Sequence, residues 1–247
     1  MAYKEGPFNN GVKEIIIPKW EHFHTFILKR ANNKRYILRG QKSENWKLEP
    51  SLNRLLKQNL FSAEKYEEAV EQHLKSFKVS MRGRTTHFNE IIEKKNEIWA
   101  VGQHNFLATP LLDFTVSPYV AAYFAFFEKE TDTTDRIIYA VSRSCVEDNQ
   151  TELEIIQPLS NYNNRLINQS GLFIKFNTQT DLSTLIENSY QANPDKKIRM
   201  YKIKIPNSER KTCLKSLNKM NINHNTLFPD LYGASIYCNL GLEINDY

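Results

Sequence analysis

Four short segments of this 247-residue chain concentrate side chains able to do chemistry. The first is Tyr36-Ile-Leu-Arg39-Gly40-Gln41. An arginine that ends an apolar strand is costly to bury unless an anion or carboxylate meets it. Arg39 therefore either clamps a phosphate or pairs with an internal carboxylate such as Asp113. Gly40 beside it permits a tight turn or the close approach of a ligand to the backbone. The second segment runs from Gln103-His104 to Asp113-Phe-Thr115. His104 titrates near neutrality and can shuttle a proton or donate to a phosphate or ribose hydroxyl. A Gln-His pair serves equally as a hydrogen-bonded core element. Asp113 is placed to orient His104 or Arg39, whereas Thr115 and Ser117 suit capping of the helix that follows. In the third segment, Asn164 to Phe173, Arg165, Gln169 and Ser170 can hydrogen-bond a nucleotide or form an ordinary loop. The fourth is Phe228-Pro-Asp230-Leu-Tyr-Gly233, whose Asp230 is either a held carboxylate or an Asx-turn residue.

The elements that must position these groups follow from periodicity. Residues 1–13 read as a loose entry. Ile15 to Ile17 is a strand stopped by Pro18, and a helix follows with Trp20, Phe23, Phe26 and Ile27 inward. Asn32-Asn33 turns into the strand that ends at Arg39. Pro50 keeps Glu49 extended. Helices are expected over residues 51–56, from Ser62 through Phe77, and as one piece from Phe88 to Val101. Pro118 suits the first helical position of an all-apolar, hence buried, helix. Residues 132–135 form a turn, and Ile137 to Val141 a strand. Residues 143–168 show no clean period. Gly171 to Phe176 and Arg199 to Ile205 are strands, 177–195 loop and short helix, and Ser208 to Met220 a helix. Residues 234–247 add a short strand or helix. Helices first and strands later give an α+β class, one compact domain over residues 1–247 with a helix-rich N-terminal half on a mixed or antiparallel sheet.

Composition excludes several classes. Hydrophobic residues at 40% suffice for a core, and the net charge of +5 is spread along the chain rather than massed, so no basic patch speaks for nucleic acid. Cys145, Cys213 and Cys238 are odd in number and form no Cys-x-x-Cys, which argues against zinc, a redox pair or a disulfide framework. No apolar leader region opens the chain, and the run from Val116 to Phe127 is too short to span a bilayer. The expectation is a cytoplasmic protein without membrane partners. Phosphate-loop, dinucleotide-fold, serine-hydrolase and zinc-protease motifs are missing.

Taken in order, these motifs resemble the FRG domain, a bacterial and phage domain named for a Phe/Tyr-Arg-Gly motif. The resemblance rests on Ile37-Leu-Arg39-Gly40-Gln41 through Arg54, on Gln103-His104 through Asp113-Phe-Thr115-x-Ser-Pro118, on Asn164-Arg165 through Gln169-x-Gly171-x-Phe173, and on Leu227-Phe-Pro-Asp230-Leu-x-Gly233. It spans about residues 35–235. Leu38 departs from the family's aromatic, Phe114 from Trp, Pro110 from Arg and Tyr232 from an acidic residue. At the level of fold the resemblance extends to the ADP-ribosyltransferases. It implies a nucleotide ligand, with NAD as substrate, no metal and an acceptor of unknown kind. Arg39 would hold the pyrophosphate, helped by Gly40, Gln103, Thr115 and Arg165. Gln169 and Ser170 would line the ribose or amide. Asp230, or alternatively Glu243, would stabilise positive charge on the ribose, with His104 and Asp113 in the catalytic set. The implied activity is ADP-ribosyl transfer or NAD hydrolysis in toxin or phage-conflict biology. The competing expectation is a non-catalytic nucleotide-binding or interaction module whose Arg/His/Asp cluster is structural.

Overall fold

The computed structural model describes residues 2–31, 35–85, 88–129, 135–158, 164–195 and 197–247. Its eight strands are β1 (Lys4–Asn9), β2 (Val12–Ile16), β3 (Tyr36–Gln41), β4 (Leu111–Thr115), β5 (Asp135–Ser142), β6 (Leu153–Ile156), β7 (Gly171–Phe176) and β8 (Met200–Pro206). They form one sheet in the order β1-β2-β8-β5-β3-β4-β7-β6, in which β2–β8 is parallel and the other pairs are antiparallel. The helices are α1 (Phe23–Arg30), α2 (Ser51–Gln58), α3 (Tyr66–Ser80), α4 (Phe88–Ile91), α5 (Lys95–His104), α6 (Pro118–Phe126), α7 (Arg143–Asp148), α8 (Asn164–Asn168), α9 (Leu182–Ala192), α10 (Arg210–Lys219), α11 (His224–Leu227) and α12 (Leu231–Glu243). The domain is α+β with a mixed sheet. Among the described residues, no helix is long and apolar enough to cross a membrane.

Alternation along the strands sorts side chains to two faces. On β5, Ile138 and Ala140 join a core with α1, α6 and α10, while Ile137, Tyr139 and Val141 join another with α7 and α9. On β4, Leu112 and Phe114 belong to the second core. Leu111 turns the other way, with Phe173 of β7, into a third core under α2, α3 and α5. One face of the sheet is therefore covered by two helical groups that meet above β3 and β4.

Helix α6 is anchored at both ends. The Ser117 hydroxyl accepts from the Val120 N–H at 3.3 Å, and Pro118 occupies the first turn. At the far end two buried arginines satisfy carbonyls that the helix cannot bond itself. Arg136 donates to the Ala125 and Glu128 carbonyls, and Arg210 to those of Phe126 and Phe127. Alanines at 121, 122 and 125 let the helix lie directly on β3. A Cβ on Gly40 would stand 1.9 Å from the Ala121 oxygen and 2.6 Å from the Ala125 nitrogen.

Several expectations are corrected. The entry segment is strand β1, paired with β2. The helix expected from Phe88 to Val101 is two, because the chain leaves helical geometry at Lys94 (φ −102°, ψ 87°) before α5 begins. Asp113 and Thr115, for which no strand was expected, lie on β4 beside β7. The stretch 143–168 contains α7, β6 and α8, each too short to show a period. The helix expected within 177–195 is α9, and of the two forms expected for the tail the helix is the one that the chain adopts. Strands are also interleaved with helices from the start. The expected turns at 32–33 and 132–134 lie outside the described residues.

Gly40→Ala should cost stability, because the backbone of α6 rather than a yielding side chain opposes the new methyl. Overpacking of this kind costs about 1–3 kcal/mol or more, visible in chemical denaturation. An alanine variant as stable as wild type would mean that α6 can back away from β3 freely.

Candidate functional site

The site lies where β3 and β4 part. These strands share one register pair, Leu38 with Thr115. Beyond it Arg39 spans the opening, its Nη1 donating to the Asp113 carbonyl at 2.9 Å and lying 3.8 Å from the Asp113 carboxylate. A side-chain donor thus replaces the missing ladder bond. The Arg39 side chain is 22% exposed, and its buried Nε has no partner. Burial lowers the Arg39 pKa from its ordinary value; Asp113 opposes that and Arg54 reinforces it.

Above this opening is a cavity of about 350 Å³. Of the residues singled out from sequence, Arg39, Gly40, Gln103, His104, Asp113, Thr115, Arg165 and Gln169 all line it. Its apolar wall comes from Phe124, Leu166, Phe173 and Phe228. Volume and lining fit a small-molecule site, with aromatic walls and a few convergent polar groups.

Each polar group has a definite setting. Gln103, on the last turn of α5, donates to the Asp113 carboxylate at 2.9 Å and accepts from the Thr109 hydroxyl. Asp113 stands on the cavity face of β4 and its side chain is 64% exposed. Thr115 donates to the Gln169 carbonyl at 2.7 Å and accepts from the Ser117 N–H, so it braces the start of α6. Gln169 donates to the Leu227 carbonyl at 3.1 Å and ties α8 to α11. His104 ends α5. Burial, then Arg165, lower its pKa from 6.5, with Asp230 opposing. Among the described residues no hydrogen bond joins His104 to Asp113, so the expected orienting contact falls to Arg39 and Gln103 instead.

The remaining candidates are placed differently. Gly40 lines the cavity, but its lack of a side chain is required by α6 rather than by a turn. Ser170 is exposed in a left-handed turn (φ 46°) after α8 and does not line the cavity. Asp230 is one contact removed. Its carboxylate accepts from Nε and Nη2 of Arg165 at 2.9 and 2.5 Å, and from the Gly233 N–H at 3.0 Å. The latter bond caps α12, so Asp230 is a held carboxylate at a helix start. The Gly233 amide, then Arg165, hold its carboxyl below the usual range. Glu243 is farther away, paired with Arg210 at 2.6 Å behind α6. Among the described residues no group of three or more His, Cys, Asp or Glu side chains could hold a metal ion.

Sequence reasoning missed the aromatic wall. Phe124 was hidden in an all-apolar helix, where no period marks the face that opens on a cavity. It also missed His224, fully buried behind Phe228 at a ring separation of 4.3 Å. Its Nδ1 shares a 3.0 Å hydrogen bond with the Tyr123 hydroxyl, and its Nε2 has no partner. Burial, then Arg165, lower its pKa to about 4.

Two outcomes follow from this geometry. Asp230→Ala should lose about 0.5–2 kcal/mol of stability, the usual cost of removing a helix N-cap. Asp230→Asn keeps the capping oxygen and should lose much less; equal denaturation midpoints for wild type and the alanine variant would deny the cap any weight. For His224, the folded pKa is depressed relative to an unfolded value near 6.5. Its contribution is complete above about pH 6.5 and is lost as pH falls toward about 4, because the unfolded chain then takes up a proton first. The loss across that window should be on the order of 3 kcal/mol, with His104 adding in the same sense. His224→Phe should flatten most of this slope in urea titrations between pH 4 and 7; an unchanged slope would place its origin elsewhere.

No curated protein and no solved structure matches the chain. Residues 34–134 match the model of the FRG domain. That stretch holds β3, α5, β4 and α6, hence Arg39, Gln103, His104, Asp113 and Thr115, whereas Arg165, Gln169 and Asp230 lie beyond it. With the arginine and glycine of β3 inside that stretch, residues 34–134 are similar to the FRG domain.

Proposed function

We propose that the chain is a nucleotide-using enzyme that consumes NAD⁺, passing ADP-ribose to an acceptor or to water. The observation that carries this reading is the convergence of Arg39, Gln103, His104, Asp113 and Gln169 on one aromatic-walled cavity from β3, α5, β4 and the link after α8. Each group has a suitable task. The guanidinium of Arg39 meets phosphate oxygens through its terminal nitrogens. The phenylalanine rings offer an apolar wall to a base or nicotinamide. When the bond between ribose C1′ and nicotinamide nitrogen breaks, the electron pair leaves with nicotinamide and positive charge grows on the ribose. Asp113, the carboxylate that lines the cavity, is placed to stabilise that charge. The incoming oxygen then bonds to C1′ and gives up its proton. His104, its pKa lowered, is neutral at pH 7 and able to take it. Asp230 acts in this scheme by fixing Arg165 rather than as the acid. A toxin or phage-conflict setting is the one that the FRG resemblance implies.

A second reading draws on the same contacts. Arg39 is met by the Asp113 carbonyl and Arg165 by Asp230, so the cluster also works as a brace across the open sheet. In that case the chain binds a nucleotide without turnover or serves as an interaction module.

The two readings separate in one assay, release of nicotinamide from NAD⁺ by the purified protein. Asp113 is exposed, so Asp113→Asn should leave the melting temperature almost unmoved while lowering turnover by about 10²-fold or more. Full turnover by that variant would remove Asp113 from the mechanism. NAD⁺ binding by wild type without nicotinamide release would favour the binding module.

A further inference from the structure

Phe106 is opposed by its own surroundings. Helix α5 ends with the Phe106 N–H donating to the Gln103 carbonyl at 3.1 Å and the Leu107 N–H to the Gly102 carbonyl at 2.9 Å. These are the two bonds of a Schellman ending, and they force the residue between Asn105 and Leu107 into the left-handed region, at φ 65°. Glycine is the usual occupant, and a bulky side chain there is strained. The apolar contact that accompanies such an ending is supplied by Leu107, whose side chain lies against Gly102. The Phe106 ring packs on nothing comparable and is 94% exposed. An exposed phenylalanine alone needs no explanation. Leu60 closes α2 in the same exposed, left-handed way, at φ 57°, and does not line the cavity, so it is the place at the cavity that sets Phe106 apart.

Its position gives the reason. Phe106 borders the cavity described above and also a neighbouring one of about 320 Å³, lined by Glu49, Ser51, Arg54 and Leu111. The two share Arg39, Gln103, Phe106 and Asp113. We propose that Phe106 is a ligand-binding residue, whose ring stacks on the planar heteroaromatic ring of a nucleotide lying across the junction of the two cavities, with the nucleotide's phosphates at Arg39. This rests on the nucleotide reading of the site. It adds a stacking contact outside the polar set and a second cavity for the part of the ligand that reaches past Arg39 and Asp113.

The test is calorimetric binding of NAD⁺ to wild type, Phe106→Gly, Phe106→Asn and Phe106→Tyr, with a melting temperature for each. Glycine and asparagine both tolerate the left-handed backbone, so these variants should melt at or above the wild-type temperature. Their affinity for NAD⁺ should nonetheless fall roughly 5- to 100-fold, the range that loss of one ring stack produces, while tyrosine restores it. A merely structural Phe106 would move stability and affinity together. Wild-type affinity in the glycine and asparagine variants, or a tyrosine variant as weak as glycine, would overturn the role of Phe106 and leave the nucleotide reading intact. No binding of NAD⁺ by wild type would instead overturn the nucleotide reading, and this inference with it.

Discussion

The contact between α6 and β3 at Gly40 is the constraint on which the rest of the structure depends. A buried helix carries no polar side chains to satisfy its ends, so its termini must be completed by others. Ser117 does so at the start, and Arg136 and Arg210 at the finish. Those arginines are in turn held by Asn207 and Glu243, from the end of β8 and from the last helix. Fixing α6 therefore recruits residues from across the chain. Because it lies so close to the sheet, its Phe124 reaches the cavity that opens between β3 and β4.

That opening trades sheet regularity for a cavity. A ladder that closed fully would leave no room between the two helical groups on this face. The price is backbone groups without strand partners, and Arg39 answers for one of them through the Asp113 carbonyl. The same guanidinium stays near a carboxylate and keeps one donor unused. A second cation, Arg165, is fixed at the other side by Asp230 and lies over the rings of Phe228 and Tyr232. Two cations, each beside a carboxylate, are thus held on two walls of one cavity. The depressed pKa of His104 follows first from burial and then from sharing that space with Arg165.

The segments bearing Arg39, Gln103, His104, Asp113, Arg165 and Gln169 were readable because each sets polar groups against an apolar run, a pattern that marks the end of a core element. The amphipathic and fully apolar elements were readable for the same reason: β3, β5, β7, β8 and α6 carry strong period-2 or uniformly apolar signals. Strand β4 escaped because Asp113 and Thr115 look like a helix leader when followed by Ser117-Pro118, and only pairing with β7 makes them a strand. Strand β1 escaped because a polar edge strand lacks the burial that creates a pattern.

What the sequence determined by itself was the chemistry available and the element ends at which it sits, since these depend on local residue types. Which groups meet was decided by the tertiary structure alone. Asp113 faces Arg39 and Gln103 rather than His104 because strand pairing sets which way a β4 side chain points. Asp230 was bound to Arg165 and to the first turn of α12, and Glu243 to Arg210, by packing between elements far apart in the chain. Gly40 has its meaning from a helix 80 residues away, whose backbone occupies the space where a methyl group would be. Contacts of that kind are set by the mutual fit of whole elements, and no local pattern of residue types encodes them.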